Sequence, residues 1–271
     1  MDLLIHSMNE LGSIIFPVLN AVKPRSIVEV GAEHGGMTTR LHDWSTEHGA
    51  TLTSIDPSPS EAFRTWSEGV QGFTHIEAPS LDAIPGLDDT DCWFIDGDHN
   101  WYTVFHELQL IHAHAQARSK PLLVFLHDTC WPAGRRDQYY APQRILGEYC
   151  HPHSFDLGVT LQQEHLIEGG FRGEGAFAWA RHRGGPCNGV MTAIEDFAQP
   201  HGEALALATV PAVFGLSVLF SADADWTQEL VSLLMPYHDN PLLARMEQDR
   251  LLNYLRVIEL QDAAAAARAC A

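Results

Sequence analysis

Ser26-Ile27-Val28-Glu29-Val30-Gly31-Ala32-Glu33-His34-Gly35-Gly36 is the stretch on which the fold is decided. Ser26 to Val30 has the apolar, β-branched character of a buried strand. Gly31 to Gly36 is a glycine-rich turn, and Met37 to Glu47 continues as a helix. In such a unit the glycines let the backbone approach a ligand, and the opening helix offers free N–H groups. The spacing is G-x-x-x-G-G, not the G-x-G-x-x-G of dinucleotide enzymes, and Glu33 would oppose a pyrophosphate. An NAD-type dehydrogenase is therefore disfavoured. An acidic residue just before the first glycine, Glu29, suits a cationic or hydroxyl-rich ligand.

Outward from this unit the chain alternates. Thr51 to Ile55 reads as a second strand, ending in Asp56 and broken by Pro57. A carboxylate at that strand end can hold both hydroxyls of a ribose. Phe73 to Glu77 is a third strand, and Cys92 to Ile95 a fourth that runs into Asp96-Gly97-Asp98-His99. The helix after it shows Val104, Leu108, Ile111 and Ala115 on one face, with Asn100 as its cap. Leu122 to Leu126 is the fifth strand, ending in His127-Asp128. Strands separated by helical patterns predict a doubly wound, mostly parallel α/β sheet.

Residues 3–19 carry Leu4, Met8, Leu11, Ile15 and Leu19 at helical spacing, with Pro17 as a kink or early stop. After Asp128 the regularity lapses until about Asn188, apart from a short helix expected at 142–149. An irregular insertion of that length is usually functional, and here it is expected to cover the substrate. Asn188 to Phe197 is helical. Leu205 to Val210 and Leu216 to Phe220 predict an antiparallel hairpin that finishes the sheet, and 224–268 a helical tail. The tail has two destinations open to it, the domain itself or a second copy in a homodimer. The expected division is an N-terminal helix over 1–24, the main domain over 25–222 with its insertion at about 129–187, and helical residues 223–271.

Composition narrows the partners. A formal net charge of −19 argues against nucleic acid or an anionic membrane, and no apolar run has the length to cross a bilayer. Five scattered cysteines without a C-x-x-C pair, and an N-terminus with no basic or cleavage signal, lead us to expect a reduced, cytoplasmic protein.

Val28-Glu29-Val30-Gly31-Ala32-x-x-Gly35 resembles the first motif of class I S-adenosylmethionine-dependent methyltransferases, a family with a Rossmann-like fold. The resemblance implies cofactor contacts through Gly31, Ala32 and Gly35, with Glu29 supporting them. It also puts Asp56 on the ribose, Ser80 beside the adenine and Asp96 at the cofactor's edge. Phe94-Ile95-Asp96-Gly97-Asp98-His99 and Phe125-Leu126-His127-Asp128-Thr129 are similar to the branch containing cephalosporin hydroxylase-like proteins and sugar O-methyltransferases. The implied activity is methylation of a small-molecule acceptor, most readily at a hydroxyl. The likeness covers residues 25–130 and continues more weakly from Asn188.

Asp96, His127 and Asp128 stand at adjacent strand ends, where the cofactor's methyl group would lie. Two carboxylates and an imidazole can ligate a divalent cation, Mg²⁺, Mn²⁺ or Fe²⁺. The related enzymes commonly have an acidic residue where His127 stands. His127 acting as a general base without metal, on oxygen or nitrogen, is the first alternative; a purely structural cluster in a cofactor-binding protein without transfer activity is the second. His99 reads equally well as a solvated turn residue. In the insertion, Arg135 and Arg136 are candidates to clamp an anionic group on the acceptor, with ion pairs to nearby acids as the equal alternative. Tyr139 and Tyr140 are candidates to line the pocket.

Overall fold

Strand β1 (Ser26–Val30) pairs in parallel with β2 (Thr51–Ile55) on one side and β4 (Cys92–Ile95) on the other. In the computed structural model, which describes residues 8–269, β3 (Phe73–Ile76) extends the β2 edge and β5 (Leu123–His127) pairs with β4. Beyond β5 the direction reverses. β10 (Leu216–Ser221) runs antiparallel to β5, and β9 (Leu205–Val210) pairs antiparallel with β10. The seven-stranded order is β3-β2-β1-β4-β5-β10-β9, the doubly wound, mostly parallel Rossmann-like sheet with a terminal hairpin that the sequence predicts.

Both faces of the sheet are covered, which is why the central strands read as unbroken apolar runs. Along β4, Cys92 and Phe94 point to one core, Trp93 and Ile95 to the other, as the two-residue period requires. The first core packs α1 (Gly12–Val22), α2 (Gly36–His48) and α7 (Thr227–Leu234) through Ile15, Leu19, Leu41 and Leu230. The second packs α5 (Trp101–Ala117) and α6 (Val190–Ala198) through Leu108, Ile111, Ile194 and Phe197. Phe94 and Phe125 stack at 4.6 Å between neighbouring strands. Each fully buried side chain of this size contributes about 1.5–3 kcal/mol, so the strand ends rest on a stiff base.

Several boundaries differ from the sequence reading. Helix α1 runs through Pro17 to Val22, where Lys23 closes it in a left-handed conformation with its N–H on Leu19 O. The predicted helix began at residue 3; its positions up to 7, Leu4 among them, lie outside the described residues, as does Cys270. Met8–Leu11 is a 3₁₀ turn. A helix the pattern did not announce, α3 (Glu61–Gly69), is capped by the Ser60 hydroxyl, which accepts from Phe63 N–H. A single helical turn, α4 (Ser80–Ala83), follows β3. The helix expected at 142–149 is only a 3₁₀ turn at Pro142–Arg144, ended by Ile145 in extended backbone with its side chain buried beside Tyr139.

The insertion is less irregular than predicted. Its strands β6 (Gln138–Tyr139), β7 (His153–Ser154) and β8 (Ala178–Ala180) form a small antiparallel sheet in the order β6-β8-β7. Helix α8 (Pro241–Ala269) buries Glu247 and Leu251 and exposes Leu242, Met246 and Leu260.

Candidate active site

The strand order reverses between β1 and β4, and in open α/β sheets ligands bind outside the carboxyl ends of strands at such a point. Gly31 follows β1 there and Asp96 follows β4. The two loops are laced to the sheet: Gly31 N–H donates to Ile55 O and Asp96 N–H to Val30 O, both at 2.8 Å. Gly31 has φ +90°, and a Cβ on it would collide with the Asp96 carbonyl. The glycine is thus required twice, by conformation and by the close approach of the neighbouring loop.

Asp56 organises this turn. Its Oδ2 accepts from Ala32 N–H (2.9 Å) and Glu33 N–H (2.8 Å), and its Oδ1 from Ser58 N–H (2.7 Å). The carboxylate expected on a ribose therefore also holds the glycine turn in shape. Glu29 is buried and accepts from the Thr38 hydroxyl (2.5 Å) on α2. Burial, outweighing that hydrogen bond and reinforced by Asp96, pushes its carboxyl up to about 8, so it is neutral near pH 7. Ser80, at the start of α4, donates to Glu107 Oε1 (2.5 Å) on α5, and burial pushes Glu107 up to about 8 as well. Glu107 Oε2 has no hydrogen-bond partner among the described residues.

A second group of polar residues stands at the ends of β4 and β5. Asp96, His99 and Asp128 each offer a ligand atom, and these atoms all fall within 4.8 Å of one another. His99 Nε2 is 3.3 Å from Asp128 Oδ2 and 3.6 Å from Asp96 Oδ1, yet neither ring nitrogen makes a hydrogen bond among the described residues. Asp128 has φ +56°, a left-handed conformation in a non-glycine residue at the very strand end where the cluster forms.

His127 meets Asp96 and Asp128 as the sequence suggests, but from inside the sheet. It belongs to β5 itself, fully buried. Its Nδ1 lies 3.1 Å from Asp96 Oδ1 and 3.0 Å from Asp128 Oδ2, and its Nε2 donates to Val213 O at 2.9 Å. Burial opposes charge on this ring, but the two carboxylates prevail and hold its pKa well above the usual histidine range. With both nitrogens engaged as donors, His127 has no lone pair to offer a metal or a proton. Val213 (φ 49°) and Phe214 (φ 63°) form the strained turn that presents this carbonyl, an uncommon conformation for a β-branched residue. Glu247 on α8 steadies the turn by accepting from Phe214 N–H at 2.9 Å.

Beyond Asp128 the insertion is tied to α5 through Asp137. Asp137 Oδ1 accepts from Trp101 N–H and Gly189 N–H, both at 2.7 Å, and Oδ2 from the Tyr139 hydroxyl at 2.8 Å. Tyr139 is accordingly interior. Arg136 is buried too, its guanidinium donating to Ala180 O (2.5 Å) and Glu164 O. Arg135 pairs with Glu195 of α6 through two bonds at 2.5 and 2.6 Å. The structure does not bring these three together with the carboxylates.

Tyr140 does reach them. Half its surface is exposed, and its ring lies 6.3 Å from that of His99 and 5.9 Å from that of Phe177. Crowding around the phenol, then Glu33, Asp128, Asp96 and Asp98, raise its pKa above the usual tyrosine range. Asp98 accepts from the Thr103 hydroxyl (3.0 Å) on α5. Phe177 was not singled out from the sequence. It lies far along the insertion, and no local pattern marks it.

Residues 28–129 match the model of a methyltransferase domain family. No curated protein matches the chain. Among solved structures it is similar to the methyltransferase PaMTH1 of Podospora anserina with bound SAH, at 14% identity and TM-score 0.46, covering 76% of each chain. It is also similar to the N-terminal domain of EvdMO1 with SAH and D-fucose, at 13% identity and TM-score 0.40, covering 79% of this chain and 82% of that one.

Proposed function

We propose, from the match of residues 28–129 to a methyltransferase domain model, that the chain moves a methyl group from S-adenosyl-L-methionine to a hydroxyl of a small-molecule acceptor. The observation that carries this is the meeting, at the β1/β4 switch point, of the Gly31 turn with the open Asp96–His99–Asp128 cluster. We take the catalytic unit to be residues 25–222, with the 129–187 insertion over the acceptor and helical additions at 1–24 and 223–271.

The residues fit the cofactor. Gly31, Ala32 and Gly35 form a tight turn with both glycines at positive φ, and Ser80 and the unpartnered Glu107 Oε2 are polar groups suited to the cofactor's base. Asp56 sets the shape of the turn and keeps acceptor capacity for a hydroxyl. Asp96 would border both the cofactor and the acceptor.

The residues also fit a divalent cation, held by Asp96, His99 and Asp128. The unpartnered ring nitrogens of His99 are the specific support. Such an ion would lower the acceptor hydroxyl's pKa and orient it; oxygen-rich donors with one imidazole suit Mg²⁺ or Mn²⁺, with Fe²⁺ also accommodated.

Transfer is an in-line displacement. The acceptor oxygen bonds to the methyl carbon as the carbon–sulfur bond breaks, leaving SAH and releasing the hydroxyl proton. The chain's task is to align the two and receive that proton. His127, donating from both nitrogens, holds Asp96 and Asp128 in place. His99 is the imidazole with nitrogens available for the proton, and this supports a second reading in which it acts as the base without metal.

Calorimetry with S-adenosylmethionine and NAD tests the core reading: the first is expected to bind and the second not. Activity abolished by EDTA and restored by Mg²⁺ or Mn²⁺ supports the metal; full activity after EDTA assigns the proton to His99.

A further inference from the structure

We propose that Glu247 of α8 is a positioning residue for the reacting cluster: through the Val213–Phe214 turn it sets where His127 and Asp128 stand. This rests on the methyltransferase reading above and extends it to a helix outside the catalytic unit.

The turn between β9 and β10 grips the chain on both sides of Asp128. Before it, His127 Nε2 donates to Val213 O at 2.9 Å; after it, Cys130 N–H donates to Phe214 O at 2.7 Å. Asp128 itself is left-handed, with φ +56°, so its carboxylate is aimed by backbone that these two bonds hold rather than by any preference of its own. His127 Nδ1 lies 3.1 Å from Asp96 Oδ1 and 3.0 Å from Asp128 Oδ2, which passes the same placement to Asp96. A shift of the Val213 carbonyl would therefore move both carboxylates.

The turn cannot keep that shape unaided. Val213 and Phe214 are successive left-handed residues with side chains, one of them β-branched, and such backbone persists only where its surroundings over-determine it. On one side Gly215 packs so closely that a Cβ on it would meet Cys130 N and Sγ at 2.6 Å. On the other, Glu247 Oε1 accepts from Phe214 N–H at 2.9 Å. Arg250 fixes that carboxylate in turn. Its Nη2 donates to Oε1 and its Nε to Oε2, both at 2.7 Å, and its guanidinium lies 4.7 Å over the Phe214 ring. Burial would raise the Glu247 carboxyl, but Arg250 and the Phe214 N–H outweigh it and hold it below the usual range, so it stays a charged acceptor. Tyr254, further along α8, meets Phe171 and Phe214 edge-on at 5.6 and 6.4 Å. Apolar contacts of that kind are enough to fasten a helix. A buried carboxylate is a costly addition, and what it adds here is one fixed shape for the turn.

The test follows the His127 imidazole protons by NMR in the full chain, with isotope-labelled histidine. In the parent these protons should exchange slowly with solvent. Glu247→Met should speed their exchange at least tenfold, while Glu247→Gln, which keeps an oxygen for Phe214 N–H, should stay within threefold of the parent. Asp262→Asn weakens another polar tie of α8, to Arg172 (2.6 and 3.0 Å). It should leave the protons unchanged, which separates positioning from docking of the helix. Val213→Gly added to Glu247→Met should restore slow exchange, since glycine adopts a positive φ without help; this pair also carries the test if Glu247→Met alone does not fold. Fast exchange in the parent, unaltered exchange in Glu247→Met, equal loss in Asp262→Asn, or a double variant that stays fast or unfolded would overturn the assignment. Calorimetric affinity for S-adenosylmethionine should match the parent in every folded variant. A parent that does not bind it would instead overturn the methyltransferase reading beneath.

Discussion

The two flanks of the Asp96–His99–Asp128 cluster are built by different means. On the cofactor side, residues 29–56, backbone does most of the work: a left-handed glycine, N–H groups on Asp56, and strand ends set by the sheet. On the acceptor side, residues 129–187, side chains do it, reaching 28 to 60 positions along the sequence for partners such as Glu164, Ala180 and Glu195. The first kind of construction is spelled out locally; the second is settled only by folding. The contrast predicts that substitutions at the cluster should strike chemistry, those in the acceptor flank's interior should strike stability, and those on its surface should do little.

The largest effect is expected at Asp128. Asp128→Asn keeps the side-chain shape but removes a carboxylate from the cluster and from His127. We expect kcat to fall by about 10²–10⁴-fold, the range associated with loss of a positioned proton-handling group, with cofactor affinity unchanged within a few-fold. Steady-state kinetics beside calorimetry separates the two; a kcat within twofold of the parent would return the cluster to a structural role.

Next comes Arg136. Arg136→Met leaves the carbonyls of Ala180 and Glu164 without their donor in a buried place, at a cost of about 1–3 kcal/mol for each unsatisfied group. Denaturant unfolding should shift its midpoint accordingly, while kcat/KM of the remaining folded protein stays close to the parent. The opposite pattern, full stability with a raised acceptor KM, would make Arg136 a substrate clamp after all.

This difference in construction also governs what could be read in advance. The order of strands, the Gly31 turn and the acidic strand ends follow from short-range pattern: apolar period, glycine spacing, a carboxylate after a strand. His99 and His127 show where pattern fails. Both lie next to a candidate aspartate, and nothing local says which ring turns outward. The decision comes from β5 extending one residue further than its apolar run, which takes His127 into the sheet and against Val213 O. His99, beyond the end of β4, is left facing the two carboxylates. Similarly, Arg135, Arg136, Tyr139 and Tyr140 look equivalent in a polar, aromatic run. Only the small β6-β8-β7 sheet separates the interior pair, Arg136 and Tyr139, from the exposed Tyr140.

A smaller effect, of opposite sign, concerns the buried acids behind the cofactor flank. Glu107 has its carboxyl raised by burial from 4.5 to about 8, so the folded state keeps a proton that the unfolded chain releases. Its contribution to stability is complete below about pH 4.5 and is lost as pH rises through about 8. Glu107→Gln should remove this loss, leaving the variant about 1–3 kcal/mol less pH-sensitive between pH 5 and 8, with Glu29, Asp98, Asp137 and His127, all raised, among the groups that supply the slope that remains. Urea unfolding of both proteins at pH 5 and pH 8 measures it. Equal slopes would mean that the Glu107 carboxyl is ionised in the fold.

The smallest effect is expected at Arg135, and it is a sharp test of the contrast because this arginine is, by sequence alone, a candidate anion clamp on a par with Arg136. Its guanidinium is held in a two-bond pair by Glu195, with Thr192 Oγ1 at 3.2 Å. Arg135 is 42% exposed and Glu195 50%, where solvent screens the pair and holding two long side chains still costs entropy. Pairs of this kind are worth about 0–1 kcal/mol. Arg135→Ala and Glu195→Gln should each shift stability by less than about 1 kcal/mol, and a double-mutant cycle should return a coupling no larger than that. Acceptor KM should stay at the parent value in both. If Arg135→Ala alone raised it while Glu195→Gln did not, the arginine would be reaching substrate, and the contrast between the two flanks would fail at this residue.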